Sequence, residues 1–265
     1  MVLAMWEAMD TIAEMGWDGF EFAGRGLWVY YDRPEPFRGT LAAKGLELSS
    51  VYTACSFADQ EAIETELRYV REAADFCAAL GVETILIDGG RKTDAAGTEA
   101  DHRRVASAAN RMGEMARERG CTCSWHQHWG TLFEYPEAFE RLMALTDPQL
   151  VRFTPDTAQL TLGGFDLMEV FTRYLDRIHY VHFKDLGPDR RFTELGRGVV
   201  DFGGVWSILS EAGYSGWIVV DLDYTSLLPE ESCRINKDYL NNTLGILGER
   251  DRAAVLGSAG GMSST

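Results

Sequence analysis

The chain has 265 residues, 46% of them hydrophobic and 25% charged, the composition of globular material and the length of one α/β barrel. Its net charge of −16 repels phosphate backbones and no basic cluster overrides that field, which argues against nucleic acid as a partner. No run approaches the ~18 apolar residues that span a bilayer, no basic and then apolar leader opens the chain, and Cys55, Cys77, Cys121, Cys123 and Cys233 are scattered like reduced core thiols, so the expectation is a cytoplasmic protein with no membrane partner.

Taken in chain order, apolar spacing alternates between a strand-like and a helix-like period from end to end, the pattern of a parallel α/β architecture. An amphipathic helix carrying Trp6, Met9, Ile12 and Ala13 comes first, ahead of any strand. Strands are predicted at Gly19 to Ala23, Leu46 to Ala54, Thr84 to Gly89, Thr122 to His128, Val151 to Thr157, Ile178 to Asp185 and Trp217 to Asp223. The clearest helix runs from Asp59 to Leu80, where Ile63, Leu67, Val70, Ala74, Cys77 and Ala78 recur at three and four residue steps before Gly81. Seven strands are one short of a (β/α)8 TIM barrel, so the expected fold is that barrel with its first strand missing. No linker divides the chain: residues 1–256 are expected to form one catalytic domain, and the small, polar 257–265 a flexible tail.

Barrel active sites lie at the carboxyl ends of the strands, so a polar residue that ends an apolar strand run is a candidate. Four strands end that way, at His126 and His128, at Asp156, at His182 and at Asp221. The gaps of 26 to 39 residues from His128 onward suit one residue per βα unit. Two imidazoles and two carboxylates, His128, Asp156, His182 and Asp221, make a plausible mixed shell for one divalent metal. Against this stands the plainer reading that a strand-end His or Asp is simply a satisfied hydrogen-bonder. His126 shares the strand face of His128 by the period of two, and is either a substrate contact or an alternative ligand.

The segments His126-Gln-His-Trp-Gly-Thr131, Pro155-Asp-Thr157, Val181-His-Phe-Lys-Asp185 and Gly213-Tyr-Ser-Gly-Trp-Ile-Val-Val-Asp221 resemble the xylose isomerase-like TIM barrel superfamily of sugar isomerases and epimerases, and within it the inosose dehydratases. The resemblance implies that Asp156, His182 and Asp221 bind the metal, with His128 in the slot where related epimerases place a glutamate. It differs at two points: the last ligand is usually glutamate where this chain has Asp221, and Gln159 stands where the family often has a histidine. The implied chemistry is metal-assisted removal of a proton next to a ketone through an enediolate, with Mn²⁺ the first choice and Co²⁺, Fe²⁺, Zn²⁺ or Mg²⁺ as alternatives.

Around that centre, His128, Asp221 and Glu21 are the catalytic candidates, and His126, Trp129, Gln159, Lys184, Asp88 and Arg197 the candidates for holding substrate. Glu21 and Asp88 each end a strand, where either a base or a structural hydrogen-bonder fits. Lys184 and Asp185 orient substrate or pair with each other. The leading function is a lyase that dehydrates a keto-sugar or keto-inositol, and the runner-up an isomerase or epimerase using the same metal. A zinc-dependent apurinic endonuclease fits less well, because that chemistry needs a three-metal cluster rich in histidine and this chain has 5 His. A non-catalytic barrel subunit is the remaining alternative, and on any of these readings the chain is expected to form a homo-oligomer or to pair with another subunit.

Overall fold

The computed structural model describes residues 2–90 and 97–248. The expected tail, 257–265, lies outside the described residues. In chain order the main elements are α1 (Val2–Glu14), β1 (Gly19–Ala23), α2 (Gly24–Leu27), α3 (Glu35–Lys44), β2 (Glu47–Cys55), α4 (Gln60–Leu80), β3 (Thr84–Gly89), α5 (Glu99–Arg117), β4 (Thr122–His126), α6 (Pro136–Leu145), β5 (Val151–Thr154), α7 (Thr157–Leu162), α8 (Leu167–Arg173), β6 (Tyr180–Phe183), β7 (Asp185–Leu186), β8 (Phe192–Thr193), α9 (Phe202–Glu211), β9 (Trp217–Val220) and α10 (Pro229–Asp238).

The sheet is parallel in the order β1-β2-β3-β4-β5, β6 joins it through the bridges Phe153 to Ile178 and Asp156 to His182, and β9 pairs with β6 in parallel. Parallel strands linked by helices place every carboxyl end on one rim, which is where a barrel builds its site. All seven predicted strands form. Several stop sooner than predicted, at His126, Thr154 and Val220, because the ladder to the next strand runs out there. The two-stranded β7/β8 hairpin is antiparallel and follows β6 as a flap on the same rim.

Among the described residues no eighth strand stands between β9 and β1. The seam is closed by side chains instead: the Trp217 ring comes within 3.0 Å of where a Cβ on Gly19 would sit, and that Cβ would also lie 2.4 Å from the Glu47 carbonyl oxygen. Only glycine fits at that point of β1.

Helix α4 shows how local signals fix the frame. Asp59 caps it by accepting from the Ala62 amide, and Gly81 ends it at φ +77°, a left-handed turn that other residues resist. Its buried stripe is Ile63, Leu67, Val70, Ala73, Ala74, Phe76 and Cys77, while Ala78, expected on that stripe, is exposed. Helix α5 begins with a reciprocal cap between Thr98 and Asp101. Beneath these helices Val51, Ile85, Ile87, Trp125, Phe153, Val181 and Phe183 form the buried core. All five cysteines are free and four are fully buried. No helix of the described residues is long and apolar enough to cross a membrane.

Candidate metal centre

Four neighbouring segments of the carboxyl rim each deliver one donor. His126 is the last residue of β4, Asp156 opens α7 immediately beyond β5, His182 lies in β6 and Asp221 follows β9. Backbone pairing holds them level: the His182 amide donates to the Pro155 carbonyl at 2.9 Å, and the Asp221 amide to the Phe183 carbonyl at 3.1 Å. One donor atom from each of the four lies within 4.8 Å of all the others. Asp156 Oδ2 is 3.6 Å from His126 Nε2 and 4.0 Å from His182 Nδ1, and Asp221 Oδ2 is 3.7 Å from His182 Nδ1.

These spacings suit a metal. Donors held about 2.0–2.2 Å from one ion stand roughly 3–4 Å apart. More telling is what the donors lack: His126 Nε2, Asp156 Oδ2 and His182 Nδ1 are buried and have no hydrogen-bond partner. An orphaned buried polar atom costs about 1–3 kcal/mol, which a shared cation would offset. In Asp156 and His182 the other atom is occupied in a way that aims the free one, whereas both ring nitrogens of His126 are without a partner. Asp156 Oδ1 caps α7 by accepting from the Gln159 amide at 2.9 Å. The second nitrogen of His182, Nε2, meets Glu21 Oε2 at 3.0 Å, and Glu21 also accepts from the Ser50 hydroxyl at 2.7 Å. This carboxylate and imidazole relay is the usual support behind a metal-binding histidine.

The charges follow from burial and neighbours. Burial disfavours the imidazolium of His182, yet Glu21, Asp221 and Asp156 outweigh it and raise its pKa to about 9. Burial would raise the pKa of Glu21, but His182 and Ser50 hold it below the ordinary carboxylate value. His126 is pushed well below the usual imidazole range, by burial first and by the other two histidines next. It therefore stays neutral, the form in which an imidazole binds metal.

His128, expected as a ligand, is not in this group. The strand ends at His126, so the period of two that placed the two rings on one face does not continue. His128 sits 5.7 Å away, ring centre to ring centre, with Nδ1 on the Trp129 carbonyl at 2.6 Å and Nε2 facing the Gln159 amide nitrogen at 3.2 Å. Since the amide can only donate, Nε2 is the acceptor and its lone pair is taken. His126, weighed as a substrate contact or alternative ligand, is the histidine of β4 that lies with the other three donors.

Gln159 is buried and also accepts from the Trp129 amide at 3.0 Å, so it braces the loop after β4. Trp129 packs edge-on against Tyr135, with the Arg190 guanidinium 5.9 Å above its ring. Lys184 and Asp185 do not pair, because successive strand residues face opposite ways. The Lys184 ammonium reaches Asp221 at 3.0 Å and Asp223 at 2.8 Å, whereas Asp185 accepts from the amides of Leu186, Gly196, Gly198 and Val200. Arg197 is half exposed and leans on Glu194 at 3.6 Å, away from the four donors.

Asp88 is buried at the end of β3, and burial raises its pKa to about 6 even though Tyr52 donates to it. Tyr52 was not foreseen: its ring meets His126 edge-on at 5.6 Å. The alternation of β2 could have found it, since Ser50 and Tyr52 fall on one face and Ser50 binds Glu21.

Comparison with known proteins places this geometry. The model of the xylose isomerase-like TIM barrel family matches residues 9–242. Inosose dehydratase from Geobacillus kaustophilus is 30% identical over 268 residues, 89% of this chain and 86% of that protein. The crystal structure of 3-keto-D-glucoside 4-epimerase from E. coli superposes with a TM-score of 0.76 at 18% identity, covering 90% of this chain and 94% of the other. The IOLI protein with a bound zinc atom superposes with a TM-score of 0.77 at 14% identity, covering 92% and 94%.

Proposed function

The chain belongs to the xylose isomerase-like TIM barrel family and is an enzyme of it, and on that premise we propose that it dehydrates a keto-sugar or keto-inositol, using a divalent metal held by His126, Asp156, His182 and Asp221. The observation that carries this reading is the convergence of three buried, unpartnered donor atoms beside an aspartate on the same rim. Mn²⁺ is the first choice for two nitrogens and two oxygens, and zinc, which the IOLI protein binds, suits the same donors.

Such a metal supplies Lewis acidity, drawing electrons from a substrate carbonyl so that the neighbouring carbon gives up its proton. The residues of this chain do the rest. Glu21 holds His182 in the tautomer that presents Nδ1, and Lys184 steadies Asp221. Glu21, held low and tied to two donors, is poorly suited to take a proton. Asp88, which burial raises to about 6, suits the work better. It takes the proton from carbon, then passes it to the departing β-hydroxyl, which leaves as water.

Metal-stripped enzyme reloaded in turn with Mn²⁺, Co²⁺, Zn²⁺ and Mg²⁺ and supplied with an inosose tests this, with the unsaturated or dione product followed by absorbance and mass. A product lighter by one water supports it. A stereoisomer of unchanged mass replaces dehydration with epimerisation, the second reading, in which Asp88 returns its proton to carbon.

A further inference from the structure

We propose that the end of the barrel opposite the metal centre carries a second binding site, a cleft that takes a small oxyanion between Arg117 and Arg152. The cleft has a volume of about 330 Å³ and is lined by the last turns of α5 and by the amino ends of β4, β5 and β6. That volume lies within the ~300–1,000 Å³ of small-molecule sites.

The charge in it is unusual for this protein. The chain carries 41 acidic residues against 25 Lys and Arg, yet among the described residues no Asp or Glu lines the cleft. Arg117 makes no ion pair among the described residues, and the polar contact of Arg152 is from Nη2 to the Asp176 carbonyl at 2.6 Å. The lining thiols do not cancel these charges, since burial raises Cys121 to about 11 and Cys123 to about 12, keeping both neutral. Gln149 and Thr122 add an amide and a hydroxyl. His179 completes the wall: its Nε2 contacts the Thr84 hydroxyl at 3.2 Å, and its buried Nδ1 has no partner. Two guanidiniums whose planar forks are free of carboxylates fit the paired oxygens of a phosphate or a carboxylate.

The test uses metal-free full-length protein, with inorganic phosphate and malonate titrated by calorimetry and thermal denaturation at an ionic strength fixed with chloride. One or both are expected to bind saturably and raise Tm, the better of the two naming the ligand class. Arg117→Gln and Arg152→Gln are each expected to weaken binding at least tenfold, while Arg103→Gln, which removes an ion pair elsewhere on α5, leaves it unchanged. Arg117 is exposed, so its variant stays informative should Arg152→Gln fold poorly. No stabilisation beyond chloride, or binding that survives Arg117→Gln, overturns the proposal. Binding lost in His126→Ala instead places the anion at the metal centre and likewise overturns it.

Discussion

Glu21 Oε2 and His182 Nε2 lie 3.0 Å apart across the barrel lumen, joining the first described strand to the sixth. The contact ties the orientation of a donor histidine to a residue 161 positions earlier in the chain. Its chemical consequence is that Nε2 is held as the donor to Glu21, which leaves Nδ1 as the atom that faces Asp156 and Asp221.

Glu21→Gln keeps the shape and removes the charge. Metal affinity is expected to fall by about 10–100-fold with the fold retained, the range typical of losing the support behind a ligand. Metal titration alongside circular dichroism reads both, and an unchanged affinity would remove Glu21 from the site.

His126→Ala is expected to abolish stoichiometric metal binding, whereas His128→Ala retains it. Metal content after gel filtration distinguishes the two, and the reverse result would restore the ligand set read from the sequence alone.

In the metal-free protein His182 titrates at about 9, above the ordinary 6.5, so its pairing with Glu21 stabilises the fold fully below pH 6.5. That contribution is lost as pH rises through 9. A metal must displace the Nδ1 proton, so affinity is expected to rise up to tenfold per pH unit as pH approaches about 9 from below. Calorimetry in buffers of different ionisation enthalpy should show a proton released near pH 7.5, and buffer-independent heats would refute it.

Asp88 has the opposite consequence for a carboxyl. Its folded pKa of about 6 lies above the ordinary 3.8, so the protonated form favours the fold and that advantage fades as pH rises from about 4 to 6. Asp88→Asn should remove this slope, up to about 2–3 kcal/mol across the window. Urea denaturation of the variant and the parent, both metal-free, measures the difference. Equal slopes would mean that Asp88 is not shifted.

Asp185→Ala leaves the amides of Leu186, Gly196, Gly198 and Val200 without their acceptor and should cost at least about 2 kcal/mol in chemical denaturation. A loss under 0.5 kcal/mol, at the level of an ordinary surface change, would show water replacing the carboxylate.

What the sequence determined by itself was the order and kind of the elements and the rim on which chemistry sits. Periodicity is local: the short apolar run of β3 and the three-and-four spacing of α4 are set by neighbours along the chain, and so are the cap at Asp59 and the stop at Gly81. The strand-end rule likewise singled out Asp156, His182 and Asp221, which the fold groups on one rim, because the end of an apolar run is visible in one dimension. What only the tertiary structure decided was which atoms meet. Whether His128 joins His126 at the centre depends on where β4 loses its ladder to β5, because the two-residue alternation that would put both rings on one face holds only while the strand continues. The separation of Lys184 from Asp185, the grip of Glu21 on His182 and the contact of Tyr52 with His126 depend on distances between strands far apart in sequence, which no local pattern encodes.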